Sequence, residues 1–133
     1  MLGEDLYERG VAFMGKILGA DWIKANRKRH EAAVAAGDAD RTDFSTMILF
    51  GFMMQRPQLS LRDRALVMVT SDIVQNAPSA LRSHLQIALH AGVTRDEIRE
   101  VVFMMTQYCG FPKAREADNV ISAYFAELDK AAP

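Results

Sequence analysis

PSALRSHLQIALHAGVTRDEIREVVFMMTQY, residues 78–108, decides the fold class. Pro78 suits the first turn of a helix, where its missing N–H is not needed. At 100° per residue, Leu81, Leu85, Ala88 and Ala91 fall on one apolar face. Gly92 ends that run. Thr94-Arg95-Asp96-Glu97 then spells a capping box, in which the threonine and glutamate side chains satisfy each other's backbone N–H groups. It opens a further helix through Tyr108.

The same punctuation extends in both directions. Ser60 reads as an N-cap with Asp63 at the third helical position. The helix it opens, about Leu61 to Gln75, is apolar on nearly every side and is expected to be buried. Arg56-Pro57 closes an earlier helix of about Asp43 to Met54, because the residue before proline avoids the helical region. Gly37-Asp38-Ala39-Asp40 breaks the chain ahead of it. A helix from near Asp21 carries Trp22, Ile23 and the basic cluster Arg27, Lys28, Arg29 and His30, read as a solvated face. The first helix runs from Glu4 to Leu18 and stops at Gly19. Gly110 and Pro112 precede a last helix to about Leu128. Alternating runs between Asn-Gly or Asp-Gly turns are missing. The expectation is an all-α compact bundle of about seven helices, one domain over residues 1–133.

Half of the residues are hydrophobic and the net charge is -1, so no basic bias points to nucleic acid or to anionic lipid. No run of 18 apolar residues is present. The opening MLGEDLYERG lacks the basic start of a signal peptide, so a cytoplasmic site is expected. Cys109 is the single cysteine, which excludes an intrachain disulfide and a CxxC motif. A short chain rich in Met and Phe has apolar area to spare for subunit contacts. Phe50, Phe52, Met53, Met54, Phe103, Met104 and Met105 are read mostly as core, with some of them lining an apolar pocket or a subunit interface, since Met adapts to irregular surfaces.

The fifth helix separates its two histidines. His84 falls within the apolar stripe, flanked by Ala80, Ala88 and Ala91, and His90 falls on the opposite face. An inward histidine with room beside it titrates near neutral pH and can serve as a general acid or base. A core histidine satisfied by one hydrogen bond is the commoner arrangement. On the fourth helix Asp72 projects into an apolar stripe with Arg64 on its flank. A buried carboxylate needs a partner or a raised pKa. It is either a functional acid, base or substrate-binding group, or half of a buried salt bridge. His30, His84 and His90 stand at no metal-binding spacing, and HExxH, a Walker loop and GxSxG are missing, so no metal is expected.

Leu6-Tyr7-Glu8-Arg9-Gly10, Asp43-Phe44, Arg56-Pro57-Gln58-Leu59 and Arg62-Asp63-Arg64-Ala65-Leu66 lead in order to His84-Leu85 and the run through Val101, then to Tyr108-Cys109-Gly110-Phe111-Pro112. The last two stretches are similar to the HLxxALxxGVTxxEIxEV and YxGxP signature of the carboxymuconolactone decarboxylase family, and about residues 4 to 128 take part in the resemblance. The resemblance implies the all-helical fold shared with alkylhydroperoxidase D-like proteins and a homo-oligomer, a trimer or hexamer. It also implies loss of carbon dioxide from a 4-carboxymuconolactone-like compound in aromatic catabolism, without metal or organic cofactor. The family's peroxidase relatives use CxxC and a histidine. His84 falls at that histidine, and the cysteines fall at Ala77 and Ala80, so peroxidase chemistry is excluded. The decarboxylases usually carry an arginine and a glutamate near those two positions. Asp72 stands where the family is usually apolar, and Met54 where it often has tryptophan.

These readings converge on a cofactor-free lyase moving a proton on a small carboxylated lactone or carbonyl compound. His84, Asp72 and Arg64 are its candidate catalytic residues. Tyr108, Phe50, Met54 and Ala80 are its candidate substrate contacts. The alternatives are an isomerase, cyclase or dehydratase acting on another metabolite, or a non-catalytic ligand-binding or assembly subunit.

Overall fold

A computed structural model describes residues 3–133. Helix termini fall where the caps place them. Ser60 Oγ accepts from the Asp63 N–H at 3.0 Å and opens α4, Leu61–Val74. Thr94 and Glu97 close a reciprocal capping box at the head of α6, Arg95–Cys109. Between them lies α5, Pro78–His90, with its proline in the first turn, and after them α7, Phe111–Ala131. The N-terminal part holds α1, Glu4–Leu18, α2, Ala20–Ala35, and the short α3, Ala39–Thr42. No strand occurs among the described residues, and the fold is all-α. No helix among them is long and apolar enough to cross a membrane.

The chain gathers into two compact units, one ending at Leu59 and the other running from Ser60 to Pro133. In the second, α4 to α7 enclose a core that includes Val69, Ile73, Leu81, Leu85, Ile98 and Ile121. Each such side chain contributes roughly 1.5–3 kcal/mol of transfer free energy when fully buried. The first unit is built on Tyr7, Val11 and Met47, with Leu6, Trp22, Ile23 and Ile48 packed around them.

Three sequence expectations change. The single helix expected over Asp43 to Met54 is instead a π-helical turn, Ser45–Phe50, followed by a 3₁₀ turn, Met53–Gln55. Close crossing of α1 is the physical reason: a Cβ on Gly10 would lie 1.9 Å from the Thr46 carbonyl oxygen, and one on Gly51 would lie 2.1 Å from that of Leu6. The wider π turn closes with the Gly51 N–H on the Thr46 oxygen at 2.9 Å. Second, α4 is not buried on all sides, since Val67 and Val74 on its outer side are exposed. Third, the basic cluster of α2 is not simply solvated. Arg27 grips the Glu8 carboxylate with both terminal nitrogens, and His30 turns inward.

Candidate active site

Asp72 and His84 are placed by the connection between α4 and α5. The Ala77 N–H reaches back to the Asp72 carbonyl at 3.0 Å, and the Asn76 N–H to that of Ile73 at 3.1 Å. These are the two bonds of a Schellman motif. It requires a left-handed residue after the helix, and Asn76 supplies it with φ 51°. Glycine holds the corresponding place after α2 and α5, at Gly37 and Gly92. The tight reversal brings α5 back along α4, so side chains twelve residues apart meet.

His84 Nδ1 lies 2.6 Å from Asp72 Oδ2. The carboxylate side chain is 8% exposed and the imidazole 18%. An ionised carboxylate only accepts hydrogen bonds, so with Asp72 ionised the proton of this bond sits on Nδ1, and Nε2 is the ring nitrogen free to exchange a proton. A proton taken up at Nε2 gives an imidazolium that Asp72 stabilises through the same bond. This is the arrangement by which a buried carboxylate orients a histidine for proton transfer. A helical side chain leans over the preceding turn, so the ring of His84 leans toward Ala80, which is half-buried.

Asp72 also borders a crevice of about 10 Å³, the space of one water, with Asn76, Ala77 and Lys113. Lys113 Nζ donates to the Val74 carbonyl oxygen at 3.0 Å beside it. His84 does not line this crevice, and a substrate would not fit in it. Arg64 is half-buried on α4, two turns before Asp72, or about 12 Å along the axis. Tyr108 sits 72% exposed near the end of α6. In the first unit, Phe50 stacks on Phe13 with centroids 6.2 Å apart, and Met54 is buried in the 3₁₀ turn. His90 is exposed on the outer side of α5. Among the described residues, no cluster of three His, Cys, Asp or Glu side chains is arranged to hold a metal ion.

The first unit contains a second histidine–carboxylate pair that the sequence reading missed. His30 Nδ1 lies 2.7 Å from Oδ2 of Asp43, whose side chain is 1% exposed, and Arg29 Nη2 stands 3.9 Å from the other oxygen. Tyr7 stacks on the His30 ring at 4.0 Å, and its hydroxyl donates to Asn26 Oδ1 at 2.7 Å. Burial and the Asp43 charge raise the Tyr7 pKa above the ordinary tyrosine value. The signal was present in α2: Ile23, Asn26, His30 and Ala33 recur at helical spacing on one face, and they are buried or half-buried. The neighbouring charges masked it.

The profile of the carboxymuconolactone decarboxylase family matches residues 44–123. That segment is more than half of the chain and contains both members of the His84–Asp72 pair. The chain belongs to the carboxymuconolactone decarboxylase family. It is 24% identical over 128 residues to a 4-carboxymuconolactone decarboxylase of Acinetobacter baylyi, covering 96% of this chain and 92% of that one. A nitrosuccinic acid decarboxylase of Metarhizium robertsii is 30% identical over 112 residues, 84% of this chain and 76% of its own. An uncharacterized 15.0 kDa protein of Paracoccus denitrificans is 32% identical over 83 residues, 61% and 62% of the two chains. Membership of the carboxymuconolactone decarboxylase family fits the all-α fold, and the decarboxylase-named relatives support a decarboxylase-type function.

Proposed function

We propose that this protein is a cofactor-free carboxy-lyase whose acid–base group is His84, oriented by Asp72, and whose substrate is a small carboxylated lactone or carbonyl compound. The hydrogen bond of 2.6 Å between His84 Nδ1 and Asp72 Oδ2 carries the reading. Decarboxylation breaks the bond between the carboxylate carbon and its neighbour. The electron pair passes into a conjugated carbonyl of the substrate, and carbon dioxide leaves. The remaining carbanion equivalent takes a proton from Nε2 of the His84 imidazolium, and the histidine regains it from water. Asp72 holds the ring in the correct tautomer and offsets its charge. Arg64, on the same helix, is the proposed anchor for an anionic substrate group, a task that suits a guanidinium.

The matched segment 44–123 runs through both compact units, which supports reading residues 1–133 as one carboxymuconolactone decarboxylase-like domain. Phe50, Met54, Tyr108 and Ala80 are its proposed substrate contacts. The one-water crevice beside Asp72 is too small for the substrate, so the proposed binding space lies on the Nε2 side of His84 and is completed when copies of the chain associate as a trimer or hexamer.

The test is a panel of small unsaturated and lactone carboxylates, 4-carboxymuconolactone and nitrosuccinate among them, incubated in D₂O. The expected result is catalysed release of carbon dioxide from at least one compound, with one deuterium in the product. Turnover without carbon dioxide release would replace the lyase reading by an isomerase, cyclase or dehydratase one. The alanines at 77 and 80, where decarboxylases of the family usually carry charged residues, give that outcome its weight.

A further inference from the structure

Apart from the half-buried Arg64 of α4, the arginines of the second unit fall into two groups. Arg62, Arg82 and Arg95 are ion-paired, with Glu97, Glu127 and Asp129 respectively. Among the described residues, Arg99 and Arg115 have no carboxylate within ion-pair distance, and both line a groove of about 250 Å³ between α6 and α7. Val102 and Ala114, both buried, form its floor. Phe103 and Phe111, exposed by 75% and 63%, border it, and Thr106 adds a hydroxyl. Asp118 is the one acidic side chain in the lining, so two guanidiniums against one carboxylate leave a positive charge. The guanidiniums are braced by the protein's own rings: Arg99 lies 5.2 Å from the centroid of Phe125 and Arg115 6.0 Å from that of Phe111.

Two features of this groove define what fits it. Exposed phenyl rings on a buried apolar floor favour a flat apolar body, which covers the rings edge-on or offset. A guanidinium fork braced on a ring but not ion-paired favours a planar carboxylate, taken by two parallel hydrogen bonds. We propose that the α6–α7 groove is a binding site for a small aromatic carboxylate, separate from the His84–Asp72 pair. Its charge recognition comes from Arg99 and Arg115, and its apolar recognition from Phe103 and Phe111.

The probe is benzoate, titrated into the full-length, ¹⁵N-labelled protein, with benzyl alcohol and acetate as matched compounds lacking the charge or the ring. The expected result is saturable shifts of the Arg99 and Arg115 side-chain N–H signals and of the Thr106 amide. The doubly substituted Arg99→Gln, Arg115→Gln protein should bind at least about tenfold more weakly, a loss of about 1.4 kcal/mol. Both positions are exposed, so that variant should keep a dispersed native spectrum, and a melting curve checks this. His84→Gln, a site apart from the groove, should bind benzoate as the wild type does. Equal binding of acetate would reduce the groove to a simple anion site, and equal binding of benzyl alcohol to a greasy surface; either result overturns the proposal. So does benzoate affinity unchanged in the double variant, or a loss of benzoate binding caused by His84→Gln.

Discussion

His84 and His30 show how one residue type is put to two uses. Both present Nδ1 to a buried aspartate, at 2.6 and 2.7 Å. His30 is further enclosed by the ring of Tyr7, and its aspartate is the more deeply buried of the two. Removing one partner of a buried hydrogen bond leaves the other unsatisfied, which typically costs about 1–3 kcal/mol. His30→Ala should therefore lower the unfolding free energy by roughly 1–3 kcal/mol, measured by urea denaturation, and Asp43→Asn in the same background should recover part of the loss. An unchanged midpoint in His30→Ala would mean that the pair does not hold the first unit together. At this scale the sequence was half legible. Helical projection singled out His84 and Asp72 separately, because both break apolar stripes. It could not pair them, since the pairing depends on how tightly the chain reverses between α4 and α5. It passed over His30, because Arg27, Lys28 and Arg29 made that stretch look like open surface.

Helices were legible wherever a cap or a stop residue announces itself. Ser60, Thr94, Pro78 and Gly92 placed α4, α5 and α6 nearly to the residue. Segment 39–55 was not legible, because its geometry answers to α1: Gly10 and Gly51 admit a backbone crossing so close that a regular α-helix gives way to π and 3₁₀ turns. The end of α4 at Gln75 was legible, but the left-handed turn at Asn76 was not, since asparagine is a weaker marker of left-handed backbone than glycine. Its φ of 51° makes a direct prediction. A β-carbon without the local hydrogen bonding of asparagine costs on the order of 1–2 kcal/mol in this region. Asn76→Ala should lose about that much stability, and Asn76→Gly should match or exceed the wild type. Thermal melts of the two variants decide it, and equal melting temperatures would show that the α4–α5 reversal does not depend on this residue. Because the reversal positions Asp72 against His84, Asn76→Ala should also reduce activity while Asn76→Gly retains it.

The whole chain keeps a good deal of apolar surface in contact with water. Val67, Met104 and Tyr108 are exposed by 63, 56 and 72%, apart from the groove residues Phe103 and Phe111. Where such side chains adjoin, the apolar area marks an interaction surface more often than a free one. Association of identical chains is the expected use, and sedimentation at micromolar concentration should show a species three or six times 14.8 kDa. Charged substitutions at Val67 and Met104 should shift it toward the monomer. A single 14.8 kDa species in the wild type would remove both the oligomer and the idea that a neighbouring copy completes the substrate space.

All of the functional reading rests on one histidine being a proton donor rather than a piece of core. The comparison of His84→Gln with His90→Gln isolates that claim, because the two residues share α5 and face opposite ways. Glutamine keeps a hydrogen-bond donor for Asp72 but carries no titratable proton. Using the substrate that releases carbon dioxide in the panel, kcat should fall about 10²–10⁴-fold in His84→Gln, with the melting temperature held near the wild-type value, while His90→Gln keeps wild-type kcat. A His84→Gln protein that is folded and fully active would contradict the account.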